Sequence, residues 1–132
     1  MALLVPNIGE RQALSYLVNK ASPNDLKLHL FTNNLTPAEA DVVGDYTECG
    51  VSGYAAITLT GANWTVSTDG SNNSTATYAQ QTFSFSTSTA CYGYYVTDNT
   101  GAVLMWSEAF PSLFSIPAGG GSISITLNIG AD

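Results

Sequence analysis

Positive charge is almost missing from this sequence. Arg11, Lys20 and Lys27 are its only basic residues against ten acidic ones, leaving a net charge of −7. Proteins that hold DNA or RNA draw most of their affinity from Lys and Arg displacing counterions from phosphates. Three cations confined to the first 27 residues build no such track, so neither nucleic acid nor an anionic membrane surface is an expected partner. Histidine is scarcer still. A Ser-His-Asp or Cys-His arrangement would need His29 as its base, yet Lys27 and Phe31 are its same-face neighbours on an alternating segment. His29 is therefore expected to be a surface or interface residue of a strand. One His and two Cys, Cys49 and Cys91, give no zinc-ligand spacing, and no metal or other cofactor is expected.

Long apolar runs are lacking as well. The one near the N-terminus, Met1 to Pro6, has no basic flank and is too short for a signal peptide or a membrane span. Synthesis in a cytoplasm is the expectation. There the two cysteines default to buried thiols, with a disulfide between them as the alternative. Charged residues of either sign make up 10% of the chain, well under the usual quarter or so. Fourteen Ser, fifteen Thr and twelve Gly take their place, solvating a surface without making it repel its neighbours. The 132 residues suit one domain, 1–132, with an extended arm over 1–6 and a helix over 7–20.

In that helix Asn7 is placed to cap and Glu10 to complete a capping box. Ala13, Leu14, Leu17 and Val18 share one face, and Arg11, Gln12, Ser15 and Asn19 the other. From Leu26 the period becomes two. Leu26, Leu28 and Leu30 alternate with Lys27, His29 and Phe31, predicting a half-buried strand. A loop follows over 33–45, with a single helical turn expected at Thr36-Pro37-Ala38-Glu39. Further strands are expected over 54–59, 63–67, 76–87, 91–97 and 102–108, with a turn at 68–75 and a hairpin turn at Asp98-Asn99-Thr100-Gly101. The last strand is the clearest: Ile123, Ile125, Leu127 and Ile129 alternate with Ser122, Ser124, Thr126 and Asn128. Seven or eight short strands separated by turn residues predict an all-β antiparallel β-sandwich or jelly-roll-like domain with one short N-terminal helix.

Candidate chemistry is sparse. Glu39, Asp41, Asp45 and Glu48 crowd one segment, but with no Arg or Lys and no aromatic groove beside them they read as a solvated acidic loop, not a glycosidase pair. Asp69-Gly70-Ser71-Asn72-Asn73 is oxygen-rich yet lacks the paired acids of a strong calcium loop. Alternation puts Tyr92 and Tyr94 on one face and Tyr95 on the other, serving as core, as a protein interface or as a sugar platform. Trp64 and Trp106 are expected in the core. The segment Ala2-Leu3-Leu4-Val5-Pro6 is apolar and must be covered, either by its own sheet or by a neighbouring subunit that it joins as an added strand. In the second case Ala2, Leu3, Leu4, Val5 and Pro6, with Leu14 and Leu17 of the helix, form the interface. Deleting 1–6 would then abolish association and leave the fold intact.

The order of Leu4-Val5-Pro6-Asn7-Ile8-Gly9-Glu10, Leu28-His29-Leu30-Phe31-Thr32-Asn33-Asn34 with Thr36-Pro37, Gly53-Tyr54, Tyr92-Gly93-Tyr94-Tyr95-Val96-Thr97, Val103-Leu104-Met105-Trp106-Ser107-Glu108 and a closing Ile-rich strand resembles small tailed-bacteriophage virion proteins. The resemblance spans nearly the whole chain and includes both capsid decoration (cement) and tail-fibre-type proteins. It implies a non-enzymatic structural protein on the outer surface of a capsid, bridging capsomers. Its partners would be the major capsid protein and further copies of itself in a homo-oligomer. The short chain, without stalk or fibre repeat, favours decoration. The alternatives are a tail-fibre or receptor-binding domain contacting host surface glycan or protein, and a carbohydrate-binding module.

Overall fold

Alternating apolar and hydroxyl-bearing residues fold into seven antiparallel strands in two sheets, preceded by one short helix, in a computed structural model that describes residues 3–131. The helix is α1 (Asn7–Leu17). The strands are β1 (Leu26–Phe31), β2 (Ile57–Leu59), β3 (Thr65–Thr68), β4 (Ser74–Phe85), β5 (Thr89–Thr97), β6 (Leu104–Ile116) and β7 (Gly121–Ala131). One sheet has the order β2-β1-β5-β6 and the other β3-β4-β7. Their facing sides build the main core: Leu28, Leu30, Tyr94, Val96 and Trp106 from the first sheet meet Tyr78, Phe83, Ile123, Ile125 and Leu127 from the second. Trp64 sits half-buried at its edge, against Tyr78 and Trp106. The all-β sandwich follows from the pattern.

Three irregularities in register decide which side chains reach this core, one of them at Met105, which puts Met105 and Trp106 inside and Leu104 on the outer side. In β4 the pairs Tyr78–Leu127 and Gln81–Ile125 leave Ala79 and Gln80 opposite Thr126 alone. That β-bulge restores parity, so Tyr78 and Phe83, an odd number of residues apart, both point inward. In β5 and β6 the pairs Cys91–Phe114 and Gly93–Ala109 leave only Tyr92 facing residues 110 to 113. Tyr92 is thereby turned to the outer side, in the cluster of Tyr95 and not with Tyr94 as simple alternation predicts.

The first sheet is buried on both faces, which corrects the expected half-buried β1. Phe31, Tyr46, Tyr95 and Leu104 form a second cluster on its outer side, joined by Ile8, Leu35, Val43 and Tyr92. The cover is the segment after β1, folded back along the strand. Thr32 N–H donates to Thr47 O at 2.8 Å, Cys49 N–H to Leu30 O at 2.9 Å, and Glu48 bridges to Phe31. Asn33 pins the same segment from its side chain, donating to Asp45 O and accepting from Thr47 N–H, each at 2.9 Å. No helical turn forms at Thr36–Glu39; the Ala38 N–H is taken by the Asp41 carboxylate, and a 3-10 turn lies at Val43–Asp45 instead.

The helix also departs from expectation. Pro6 is its N-cap residue, no side chain caps it, and the Asn7 N–H donates to Glu39 O at 2.8 Å. It stops at Leu17, short of Lys20, where Asn19 takes the left-handed conformation at φ 59°. Gly9 lies against the β6 backbone, and a methyl group there would overlap the Met105 carbonyl. No described helix is long and apolar enough to cross a membrane.

The arm extends the first sheet from within the chain. Leu4 N–H donates to Ser107 O at 2.8 Å and Ser107 N–H to Leu4 O at 2.9 Å, lining the outer edge of β6. Pro6 is fully buried, and Leu3 and Val5 pack on the main core. Of the two uses expected for Leu3, Leu4, Val5 and Pro6, these contacts are the in-chain one; Ala2 lies outside the described residues. Deleting residues 1–6 should therefore not leave the fold untouched. Two backbone hydrogen bonds at about 1 kcal/mol each, with the apolar contacts of three side chains, put the expected loss at roughly 2–4 kcal/mol. Urea denaturation of the truncated and full chains measures it.

The hairpin turn forms where expected, around Asp98. Its carboxylate accepts from the Thr100 hydroxyl and from the N–H groups of Ala102 and Val103. Partial burial pushes the Asp98 pKa up, but these hydrogen bonds outweigh it and hold the carboxyl below its ordinary value. A depressed folded pKa contributes stability that is present above the unfolded value and lost as pH falls through the folded one. Asp98→Asn is expected to cost about 1 kcal/mol at neutral pH, discounted for an exposed turn. In urea titrations the gap from the parent protein should close as pH drops through the acid range.

Candidate functional site

Three places in this fold hold groups that could do chemistry or bind. The first is polar and lies between the first sheet and its outer cover. His29, expected on the surface, is 7% exposed and stacked on Tyr95 at 4.6 Å. Its Nδ1 is 2.8 Å from Glu48 Oε2, and its Nε2 is 2.9 Å from Thr97 Oγ1. Glu48 Oε2 also accepts from the Tyr54 hydroxyl at 2.7 Å. Beside them the Tyr46 hydroxyl lies 2.7 Å from Ser107 Oγ and donates to Asp41 Oδ2 at 2.9 Å.

Hydroxyl, imidazole and carboxylate in that sequence are the order of a nucleophile, its base and the group that orients the base. The surroundings give them a different task. Thr97 and Ser107 have no exposed surface, and neither they nor His29 lines any of the three main cavities among the described residues. The Thr97 hydroxyl is also placed to donate to Asp98 O at 2.9 Å. Nδ1 faces Glu48 and Nε2 faces the Thr97 hydroxyl, whose single proton is shared between Nε2 and Asp98 O as alternatives. Each polar group has a partner, and the cluster fastens the cover to the sheet. Asp41, Asp45 and Glu48 each accept a hydrogen bond within the chain, Asp45 from Val42 N–H, while Glu39, Asp45 and Glu48 remain exposed, as expected of a solvated loop. Asp69 likewise spends its carboxylate on its own turn, accepting from the N–H groups of Ser71 and Asn73. Among the described residues no three His, Cys, Asp or Glu side chains converge as metal ligands would.

The second place is the outer face of α1. Gly9, Ile8, Gln12 and Tyr16 turn toward the sheet, so the face read as apolar points outward. Leu14, Leu17 and Val18 are 60%, 80% and 68% exposed. Glycine at position 9, with no apolar weight in a helical-wheel reading, sets this orientation by admitting the β6 backbone. Arg11 and Lys20 line one shallow concavity with Leu14 and Val18, while Val5, Glu10 and Ala13 share another with Leu14. Two of the chain's three cations thus border the exposed Leu14 and Val18.

The third place is the irregular stretch of β6. Residues 109 to 113 curl past Tyr92 and, with Asn34, Leu35 and Thr36, enclose an open cavity of about 230 Å³. Leu113 and Phe114 are each 45% exposed. Tyr92, half-buried, lines this cavity. Tyr94 and Tyr95 do not join it. Tyr94 is buried in the main core, donating to Glu108 Oε1 at 2.9 Å, and Tyr95 lies between His29 and Tyr46. Of the three uses expected of them, Tyr94 and Tyr95 take the core one and neither is an exposed contact. Sequence reading passed over Phe110, Leu113 and Phe114 because Pro111 interrupts the strand pattern.

Cys49 and Cys91 are free thiols, 2% and 0% exposed. Burial, and then the neighbouring Cys49, push the Cys91 pKa up to about 12. A buried thiol with so little thiolate is a poor nucleophile. Both cysteines are expected to resist a disulfide reagent in the native protein at neutral pH and to react together once urea unfolds it. Rapid labelling of either in the native state would contradict this packing.

No protein-family model matches the chain, and no curated protein does either.

Proposed function

We propose that this chain is a structural protein of a tailed-phage particle, specifically a capsid decoration protein that docks on the outer shell through the exposed face of α1. The observation that carries the reading is the inverted helix. Leu14, Leu17 and Val18 are held outward by contacts that use the opposite side of α1, and Arg11 and Lys20 stand beside them. Large apolar side chains grouped on an otherwise hydroxyl-rich surface mark a place to be covered. The partner that suits them is a protein groove with apolar walls and carboxylates at its rim, supplied by the major capsid protein. The anchoring task first given to the arm passes to the helix, since Leu4 and Pro6 are engaged within the chain. The resemblance to phage virion proteins supplies the particle; the chemistry supplies the docking face.

A second reading, a tail-fibre or receptor-binding domain for host glycan, is favoured by one feature. The cavity at Tyr92 and Phe110 is lined by uncharged residues only, with Asn34, Thr36 and Ser112 offering polar groups beside the aromatic rings.

The test uses particles stripped of the protein. Added wild-type chain is expected to cosediment with heads and to be imaged there, not on tails. Leu14→Glu with Leu17→Glu removes two anchors from exposed positions, so the fold should persist while binding weakens at least about 30-fold. Tail labelling, or affinity for a glycan array lost on Tyr92→Ala, would transfer the function to the second reading.

A further inference from the structure

An unpaired strand edge is a template for another strand, and soluble proteins blunt such edges with charge, proline, bulges or short length. Three of the four edges here are blunted among the described residues. β2 has three residues and β3 four, and the outer edge of β6 is met by Leu4 at Ser107 and then broken by Glu108, Pro111 and the excursion at 110–113. β7 is different. It pairs with β4 on one side through ten residue pairs and ends its sheet on the other. Its eleven residues contain neither charge nor proline.

We infer that β7 is a self-association edge: two copies of this chain pair their β7 strands antiparallel about a two-fold axis. Full overlap of the strand places Thr126 opposite Thr126 of the second copy. The two three-stranded sheets then form one continuous six-stranded sheet, β3-β4-β7 followed by its mirror order. The register selects a second copy as the occupant, because pairing about Thr126 sets Ile123 against Ile129 and Ile125 against Leu127. Each molecule carries −7, so self-association needs a contact line without acids, and the Gly121–Ala131 strand provides one. The side-chain pattern continues across the junction too. Ile123, Ile125 and Leu127 point into the sandwich, and Ser122, Ser124, Thr126 and Asn128 face solvent, so both layers of the joined sheet match. An isologous contact uses both free edges at once, and the remaining edges are too short or already met to carry the growth further. The dimer is closed.

This dimer stands apart from the virion reading, because it uses a different face from α1 and needs no other partner. The test is the mass of the purified full chain by light scattering at about 100 µM, with hydrogen exchange at high and low concentration. The expected result is twice 13.8 kDa, with amide protection over 121–131 that rises with concentration. Thr126→Lys with Asn128→Lys, at exposed positions without side-chain hydrogen bonds, should return the mass to 13.8 kDa with an unchanged far-ultraviolet spectrum. A wild-type monomer at that concentration overturns the proposal. So does a dimer that survives the lysine pair, that vanishes with the Leu14 and Leu17 substitutions instead, or that forms without added protection of β7. Failure here leaves capsid binding by the helix standing, since the particle assay reads that separately.

Discussion

The Glu48 carboxylate is the point through which the layers of this molecule are joined. It takes hydrogen bonds from His29 on the outer face of β1 and from the hydroxyl of Tyr54. That hydroxyl in turn accepts from Leu30 N–H, and the Tyr54 ring stacks on Phe83 of the opposite sheet at 5.5 Å. Burial, followed by the nearby Glu48 charge, pushes the Tyr54 ionisation well up, so the phenol remains a donor across the ordinary pH range. One carboxylate therefore ties the cover segment, the central sheet and the second sheet together. With the Asn33 side chain and the Cys49–Leu30 hydrogen bond, it holds the cover over the outer aromatic cluster of Phe31, Tyr46 and Tyr95.

What the sequence made legible follows from how locally each feature is encoded. β1 and β7 could be read because their side chains alternate without interruption, and the Asp98 turn because Asp and Gly stand where a tight turn needs them. The misreadings share a cause: each depends on a residue acting at a distance. Tyr92 changes sides because β6, not β5, carries the extra residues. β6 runs past Glu108 to Ile116 although Pro111 argues locally against a strand, because the excursion at 110–113 takes the proline out of the regular ladder. His29 looks solvated on its own and becomes internal only when the acidic segment folds onto the strand that precedes it, while Glu39, Asp45 and Glu48 stay exposed. The arm was left with two uses, and only the three-dimensional position of Ser107 selects one.

The helix shows the same lesson in energetic form. Were Leu14, Leu17 and Val18 turned to the core, their burial would stabilise by roughly 1.5–3 kcal/mol each. The chain forgoes that gain. Pro6 is buried just before the helix, Asn7 is tied to the Glu39 carbonyl, and Gly9 sits against the β6 backbone where no larger residue fits. Turning α1 over would break these three contacts together and drive side chains into the place of Gly9. The orientation is fixed by its N-terminal tethers, and the apolar stripe is what those tethers leave outside. The proposed docking role therefore falls to this face and not to the arm, whose Leu4 and Pro6 are engaged within the chain.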